Sequence, residues 1–231
     1  MKLTILINCF NERNTIIDVI EEAKSLAIDK EIIVIDNCSS DGTKEILEGL
    51  KEDKEIRIVI HQKNMGAGYS GCEGIRLAKG EYFCAPGADR EYRMIDLLEM
   101  LKKVERENLD AVFGSRLLAR SNESKFQLIK ERPFWLGTII GTTLVNFLYG
   151  RNFTDTIATK VMKTDILKKI SFQSHNQAFE FELVSNLCKM RCNIGEFPVW
   201  YKPRTHKQGK TIRALDMLPA LMAIVKVKFF R

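Results

Sequence analysis

The chain has 231 residues, of which 45% are hydrophobic and 29% are charged, with a formal net charge of +6. This composition excludes an intrinsically disordered chain and suits one globular domain of generous size. The mild basic excess is compatible with anionic partners such as nucleotides or acidic membranes, although ordinary surface lysines would give the same charge. We expect no nucleic-acid partner.

The N-terminus and the cysteines indicate the compartment. The chain begins directly in a strand-like run, so we expect no signal peptide, and no run of about 20 apolar residues predicts a transmembrane helix. Six cysteines lie far apart, and Cys188 and Cys192 alone make a weak zinc signal. We therefore predict reduced, buried cysteines in a cytoplasmic protein.

The first 115 residues alternate between two hydrophobic periods. Short runs rich in Ile and Val alternate with segments whose apolar residues recur at helical spacing. The repeat predicts an α/β fold with a mostly parallel, Rossmann-like sheet and helices on both faces. The predicted strands cover residues 3–8, 31–36, 55–60, 81–85 and 110–115, and the predicted helices lie within 14–27, 42–53, 68–79 and 94–108.

Unusual polar clusters follow almost every predicted strand. They read NCFNE, DNCSSDG, QKNMGAG, GADRE and GSR. Parallel α/β sheets bind ligands in the crevice at the carboxyl ends of their strands. The shared position of these clusters therefore predicts a binding site at that edge.

Two of these clusters have features of a nucleotide site. Asp36 ends the second strand, where it could accept hydrogen bonds from a ribose or a base, while Asp41 and Gly42 start a helix. The glycines of residues 66–74 could let a phosphate approach the backbone, although the segment is not a P-loop. We predict a functional role for Asp36 and a structural one for Asp41.

The cluster GADRE offers Asp89 and Glu91 two residues apart. Hard divalent cations prefer one or two carboxylates together with substrate phosphates. The two carboxylates thus predict a Mg²⁺ or Mn²⁺ site completed by a diphosphate. A solvated acidic turn is the structural alternative.

Basic residues in the second half could bind phosphate groups. Guanidinium groups suit two-point contacts with phosphates, and the Gly- and Lys-rich loop 201–211 resembles a lid over an anion. In the segment AFEFEL, one glutamate could face the cleft and the other could lie at a helix terminus. The predicted phosphate-binding residues are Arg116, Arg132, Arg204 and Lys210.

Two apolar stretches dominate the second half. Residues 134–150 contain no charge, and residues 214–231 end in basic residues. Both are short for a membrane span and are typical of core or interfacial helices. We predict one domain over residues 1–212 and a C-terminal apolar and basic helix over residues 213–231, with core packing or dimerisation as the alternative to a membrane surface.

Taken in order, these motifs resemble glycosyltransferase family 2, whose members have the GT-A fold. Residues 8–12, 36–43 and 64–66 resemble the family's nucleotide-sugar motifs. GSR, FTDT with Asp155, FEFEL, EFPVWY and an R-x(4)-G-K-[ST] loop from Arg204 resemble its polyprenyl-phosphate branch, typified by dolichol-phosphate mannosyltransferase. The resemblance covers roughly residues 2–212.

The resemblance implies transfer of a sugar from a nucleoside-diphosphate sugar with inversion. The implied acceptor is a polyprenyl phosphate, and the implied location is the cytoplasmic face of a membrane, as a peripheral protein. Asp89, helped by Glu91, would carry Mg²⁺ or Mn²⁺. The implied nucleotide-sugar residues are Phe10, Asn11, Glu12, Asp36, Asn37, Asn64, Gly66 and Ala88.

Two alternatives remain open. If the acceptor is a saccharide hydroxyl, a carboxylate base is needed, and Asp155 and Glu182 are the candidates. The family's D-x-D motif reads Gly87-Ala88-Asp89 here, so its first carboxylate is missing. This departure leaves room for a protein that binds a nucleotide sugar without transferring it.

Overall fold

The computed structural model describes residues 1–120, 135–204 and 217–230. The strands of these residues form one seven-stranded sheet in the order β3-β2-β1-β4-β6-β5-β7. The strands are β1 (Leu3–Cys9), β2 (Lys30–Asp36), β3 (Ile56–Ile60), β4 (Tyr82–Cys84), β5 (Ala111–Ser115), β6 (Lys160–Lys163) and β7 (Ile194–Pro198).

Eight α-helices flank the sheet within the described ranges. A 3₁₀ turn also follows β5 at Leu118–Arg120. The α-helices are α1 (Ile16–Ser25), α2 (Thr43–Gly49), α3 (Ala67–Leu77), α4 (Met94–Arg106), α5 (Trp135–Tyr149), α6 (Thr164–Leu167), α7 (Ala178–Lys189) and α8 (Met217–Phe229).

Pairing in the sheet is mostly parallel. β1 pairs with β2 and β4, β2 pairs with β3, and β5 pairs with β7, all in parallel. β6 runs antiparallel to both of its neighbours, β4 and β5. These pairings confirm the predicted α/β class with its mostly parallel sheet.

The core lies on both faces of the sheet because β1 and β2 are buried on both sides. Ile5 and Ile7 point into a cluster with α1 and α4, while Leu6 points into a second cluster with α3 and α7. Near-continuous apolar strands are typical of parallel sheets covered by helices on both faces. Full burial of one such side chain contributes about 1.5–3 kcal/mol.

The structure adds two strands to those that the sequence predicted. The five predicted strands are present within about two residues of their predicted bounds. β6 and β7 were not predicted, and β6 separates β5 from β4 in the sheet. It is four residues long with lysine at both ends, so it lacks the apolar run that marks the other strands.

The last described helix packs into the main core. Ala220, Ala223 and Ile224 of α8 belong to the same buried cluster as Val184 of α7. The Tyr149 hydroxyl donates to the Ile224 carbonyl at 3.0 Å, which ties α5 to α8. A separate unit over residues 213–231 stays a prediction, and the described part of that stretch contributes its inner face to the domain core.

Candidate active site

The candidate site lies at the carboxyl edge of the central strands. β1, β2 and β4 are parallel neighbours, so the loops that follow them leave the same edge of the sheet. The segment after β7 crosses to this edge, because the Lys202 amide donates to the Glu91 carbonyl at 2.9 Å. Topology therefore brings residues 10–12, 86–91 and 201–204 together.

Arg204 and Glu12 form a two-point ion pair at the centre of this edge. The Arg204 Nη1 and Nη2 atoms lie 2.8 Å from Glu12 Oε2 and Oε1, respectively. The Glu12 side chain is 11% exposed and that of Arg204 is 21% exposed. Parallel N–H···O bonds between ionised groups are among the strongest hydrogen bonds in proteins, so this pair fixes the guanidinium within the site.

Asp89 and Glu91 complete the charged cluster. Asp89 Oδ2 lies 3.4 Å from Arg204 Nη2, and Asp89 Oδ1 accepts the Glu91 amide at 3.1 Å. Glu91 Oε1 accepts the Arg204 amide at 2.7 Å. Burial raises the pKa of Asp89 to about 6, and the nearby Glu91 carboxylate adds to the rise. The cluster therefore holds more negative charge than Arg204 neutralises.

The loops after β1 and β2 are bonded to each other. Asn11 has a left-handed φ of 58°, and its Oδ1 accepts the Ser40 amide at 2.8 Å. The Glu12 amide donates to Thr43 Oγ1 at 2.9 Å. Asp36 is fully buried and accepts the Ser39 amide at 3.0 Å. Asp36 thus shapes its own loop, whereas Phe10 is 42% exposed beside it.

The Asn-x-Gly turn before α3 is held by protein groups. Asn37 Nδ2 donates to Asn64 Oδ1 at 2.9 Å, and the Gly66 amide donates to the same Asn64 oxygen at 2.9 Å. The Gly68 amide at the start of α3 donates to the His175 carbonyl at 3.0 Å. In this arrangement a protein carbonyl takes the position that the sequence suggested for a phosphate.

A cavity of about 80 Å³ lies beside the Asp89 turn, lined by Ala85 and Tyr92 among others. Lys160 enters it from β6, and its Nζ donates to Glu180 Oε2 at 2.7 Å and to the Ala158 carbonyl at 2.9 Å. Thr159 also lines the cavity, and its buried Oγ1 makes no hydrogen bond within the described part of the chain. The cavity is thus lined mostly by apolar side chains, with the Lys160–Glu180 pair as its charged part.

The sequence profile of glycosyl transferase family 2 matches residues 4–171, which is most of the chain. The chain belongs to glycosyl transferase family 2. The match confirms the family that the ordered motifs of the sequence resemble.

Curated relatives of this glycosyltransferase are distant. An uncharacterized protein of Methanocaldococcus jannaschii is 26% identical over 83% of this chain and 84% of its own length. The dodecaprenyl-phosphate galacturonate synthase of Rhizobium johnstonii is 24% identical over 99% of this chain and 68% of its own length. The poly-beta-1,6-N-acetyl-D-glucosamine synthase of Staphylococcus aureus is 35% identical over 38% of this chain and 21% of its own length.

Solved structures confirm the GT-A fold. Glucosyl-3-phosphoglycerate synthase from Mycobacterium tuberculosis, in complex with Mn²⁺, UDP and phosphoglyceric acid, superposes with a TM-score of 0.69 at 15% identity. The match covers 98% of this chain and 76% of that one. S. aureus TarS in complex with UDP-GlcNAc gives 0.61 at 14% identity, over 100% of this chain and 68% of that one.

The glycosyltransferase site fits a divalent cation through Asp89, and the helper role of Glu91 stays a prediction. Asp89 is 26% exposed, and its raised pKa marks a carboxylate that a cation would stabilise in its charged form. One oxygen of the Glu91 carboxylate, Oε1, accepts the Arg204 amide. Within the described ranges, no three His, Cys, Asp or Glu side chains are grouped so that they could hold a metal ion by themselves. Substrate oxygens would have to supply the other ligands.

Arg116 and Asp155 are both buried inside the fold. They form a buried ion pair, with Arg116 Nε 2.6 Å from Asp155 Oδ2. The aromatic rings of Trp135 and Tyr201 lie 4.7 Å and 5.0 Å from the guanidinium carbon. The Arg116 guanidinium therefore pairs with Asp155 and is not placed to bind an acceptor phosphate. The same pairing keeps Asp155 from acting as a base.

The two glutamates of α7 have different surroundings. Glu182 is fully buried, and its carboxylate accepts the Gln173 and Ser174 amides at 2.9 Å and 2.7 Å. Glu180 lines the cavity beside Lys160. The sequence proposed Glu182 as a base, but the structure uses it to shape the 173–174 loop and presents Glu180 instead.

Two predicted phosphate-binding residues lie outside the described ranges, and the sequence did not predict Lys160 at the cavity. Arg132 and Lys210 lie outside the described residues, so their predicted phosphate contacts stay predictions. Ala88 is 3% exposed and packs in the core below the Asp89 turn. Lys160 was missed because it lies in the unpredicted strand β6. A lysine followed by apolar residues does not differ, in sequence, from a surface lysine.

Proposed function

We propose that the protein transfers a sugar, with inversion, from a nucleoside-diphosphate sugar to a polyprenyl phosphate. The observation that carries the proposal is the convergence of Glu12, Asp89 and Arg204 at the carboxyl edge of the sheet, beside the cavity that Lys160 and Glu180 line. The polyprenyl acceptor is supported by the dodecaprenyl-phosphate galacturonate synthase, which is similar over 99% of this chain.

Asp89 would hold the donor's diphosphate through Mg²⁺ or Mn²⁺. When bound, the cation offsets the charge that develops on the departing nucleoside diphosphate. Arg204 lies 3.4 Å from Asp89 and is the described cation placed to contact the same phosphates. The exposed ring of Phe10 and the bonded loops after β1 and β2 would contact the nucleoside. The sugar would then lie toward the cavity that Lys160 and Glu180 line.

A phosphate acceptor agrees with the carboxylates that the site offers. The second pKa of a phosphomonoester is about 6, so the acceptor is largely ionised at neutral pH and needs positioning more than a base. The sequence offered Asp155 and Glu182 as bases. Both carboxylates accept hydrogen bonds from other groups of the protein, Asp155 from Arg116 and Glu182 from the Ser174 amide. This arrangement favours the phosphate acceptor over a hydroxyl.

The outer faces of α5 and α8 suit a membrane surface. Phe147, Phe229 and Phe230 are 83%, 62% and 79% exposed, and Lys226 and Lys228 lie beside the last two. Exposed aromatic residues next to lysines are typical of helices that bind anionic lipid surfaces. No helix of the described ranges is long and apolar enough to cross a membrane. We propose peripheral binding at the cytoplasmic face.

Liposome flotation tests the membrane part. Wild type should float with phosphatidylglycerol vesicles at low salt, and Phe229→Ser with Phe230→Ser should abolish flotation. Ile95→Ser removes a side chain that is 53% exposed on α4, and it should leave flotation unchanged. Wild type that stays at the bottom of the gradient at low salt would exclude the membrane proposal.

A saccharide acceptor is the second candidate, and one observation favours it. Glu180 lines the cavity and could take a proton from an acceptor hydroxyl. The poly-beta-1,6-N-acetyl-D-glucosamine synthase of S. aureus, by its name a maker of a saccharide polymer, is 35% identical over 88 residues. A third reading, binding without transfer, is motivated by Gly87 in place of the first aspartate.

A transfer assay separates these candidates. Labelled nucleoside-diphosphate sugars are offered with polyprenyl phosphate or with oligosaccharides, with Mn²⁺ or with EDTA. We expect lipid-linked product that requires Mn²⁺ and falls about 10²–10³-fold in Asp89→Asn, the cost of removing one transition-state contact in other enzymes. Asp165→Asn, an exposed position on α6, should retain full activity. Nucleotide binding without product on either acceptor supports the third reading.

A further inference from the structure

Arg204 makes more contacts with acidic residues than a phosphate-binding lid residue requires. Its two terminal nitrogens bond to both oxygens of Glu12 at 2.8 Å, and Nη2 also lies 3.4 Å from Asp89 Oδ2. Its backbone amide donates to Glu91 Oε1 at 2.7 Å. Three carboxylates thus converge on one residue.

The Arg204 guanidinium occupies the position beside Asp89 that a divalent cation would need. Asp89 Oδ1 already accepts the Glu91 amide, so Oδ2 is the oxygen left for a metal. Mg²⁺ binds a carboxylate oxygen at about 2.0–2.1 Å. Because Nη2 lies 3.4 Å from Oδ2, a cation on this oxygen would lie against the guanidinium and repel it.

One nitrogen of the Arg204 guanidinium group can still donate a hydrogen bond to a ligand. Arg204 Nε is buried and has no hydrogen-bond partner among the described residues. A buried donor without a partner is destabilising, because it has lost its hydrogen bonds to water. The side chain therefore gains a bond if it moves to an anionic group, while its backbone stays held by Glu91.

We propose that Arg204 is an internal counter-ion that competes with a divalent cation for Asp89. Without a cation, the guanidinium neutralises Glu12 and Asp89 and occupies the place beside Asp89 that a cation would take. A cation binds Asp89 after the Arg204 side chain has left it. The inference rests on the proposed function for the role of Asp89, and not for the identity of the sugar or of the acceptor.

Mn²⁺ binding measured by EPR, without nucleotide or acceptor, tests the competition. We expect Arg204→Met, which keeps a long side chain without charge, to bind Mn²⁺ about tenfold more tightly than wild type, a change of about 1.4 kcal/mol. Arg204→Lys keeps the charge and should bind about as weakly as wild type. Arg57→Met changes an exposed arginine of β3 and should have no effect.

The double variant Arg204→Met with Asp89→Asn locates the gained site. We expect it to lose the gain, because Asp89 is the proposed ligand. The proposal is overturned if Arg204→Met binds Mn²⁺ no more tightly than wild type, if Arg204→Lys gains equally, or if the gain survives in the double variant. Absence of Mn²⁺ binding in every variant also overturns it.

A separate measurement distinguishes this proposal from the proposed function. UDP binding and sugar transfer are measured on the same wild-type protein. If transfer fails on all acceptors while Arg204→Met still gains Mn²⁺ affinity, the counter-ion role stands and the transferase proposal fails. If transfer proceeds with Mn²⁺ and Arg204→Met shows no gain in Mn²⁺ affinity, the transferase proposal stands and the counter-ion role fails. Thermal melts of each variant confirm that the protein measured is folded.

Discussion

Arg116 and Asp155 form a two-point ion pair inside the protein, joining the end of β5 to the segment that precedes β6. Arg116 Nε and Nη2 lie 2.6 Å and 3.0 Å from the two Asp155 oxygens, and the Arg116 amide donates to the same carboxylate at 3.2 Å. The residues are 5% and 0% exposed. Removing one member of such a pair leaves a buried charge uncompensated.

We predict that Asp155→Asn lowers the free energy of unfolding by about 3–5 kcal/mol at pH 7, the usual cost of breaking a buried pair. Burial would raise the pKa of Asp155, but Arg116 outweighs burial and holds that pKa below its ordinary value. Stability from a depressed pKa is present above the unfolded value, about 4 for aspartate, and is lost as pH falls through the lower folded value.

Urea unfolding at pH 7 and at pH 3 checks this prediction. The difference between wild type and Asp155→Asn should be large at pH 7 and smaller at pH 3, because at pH 3 the unfolded wild type binds a proton at Asp155 more readily than the folded protein does. Asp165→Asn on the exposed side of α6 is the control and should match wild type at both values. Equal differences at the two pH values would contradict the assignment.

Gly66 is predicted to tolerate no side chain. Its φ is +88°, and a Cβ added there would lie 2.2 Å from the His175 carbonyl oxygen. Gly66→Ala should therefore displace the 173–176 loop and destabilise the fold by more than about 1 kcal/mol. Gly49→Ala is the matched control, because a Cβ there meets nothing within 4 Å. It should be neutral or stabilising by about 0.4–1 kcal/mol in the same thermal melt. A neutral Gly66→Ala would show that the loop does not depend on this close contact.

Restoring the missing acidic residue should have two opposite effects. Gly87 has a φ of +85°, and a Cβ there would lie 3.5 Å from Asp89 Oδ1. Gly87→Asp should bring a second carboxylate to Asp89 and strengthen Mn²⁺ binding. The left-handed backbone should also cost about 1–2 kcal/mol of stability.

Gly150→Asp separates the two effects. Gly150 also has a left-handed φ, +64°, but a Cβ there meets nothing within 4 Å. Both variants should melt lower than wild type, and only Gly87→Asp should change Mn²⁺ affinity. Unchanged Mn²⁺ binding in Gly87→Asp would count against Asp89 as the metal ligand.

Glu180 is predicted to distinguish the two acceptor classes. If the acceptor is a phosphate, Glu180→Gln keeps an oxygen in the cavity and should change the transfer rate less than about tenfold. If the acceptor is a hydroxyl, loss of the base should cost about 10²–10⁴-fold. Steady-state transfer to polyprenyl phosphate and to oligosaccharides measures both. Lys160→Met, which removes the partner of Glu180 at 2.7 Å, shows how far the cavity depends on this pair.

Local sequence patterns predicted the elements and the edge of the sheet that carries the site. Alternation of apolar runs with helical spacing determined the five strands and four helices of the first 115 residues, because each pattern depends on neighbours within one element. Polar residues at strand ends predicted the site edge, because parallel strands deliver their ends to one side. The ordered motifs in residues 8–12 and 36–43 predicted the family that the profile confirms.

Contacts between distant residues were decided by the tertiary structure. Arg204 and Glu12 are 192 positions apart, and their pairing depends on β7 leading the chain back to the β1 edge. Burial likewise turned Arg116 and Asp155 from site candidates into a structural pair, and it selected Glu180 over Glu182 at the cavity. An aspartate or glutamate is written the same way in the sequence whether its carboxylate faces a ligand, a guanidinium or a backbone amide. Its role depends on the groups that folding places around it, because solvation and charge partners, and not residue type alone, set its chemistry.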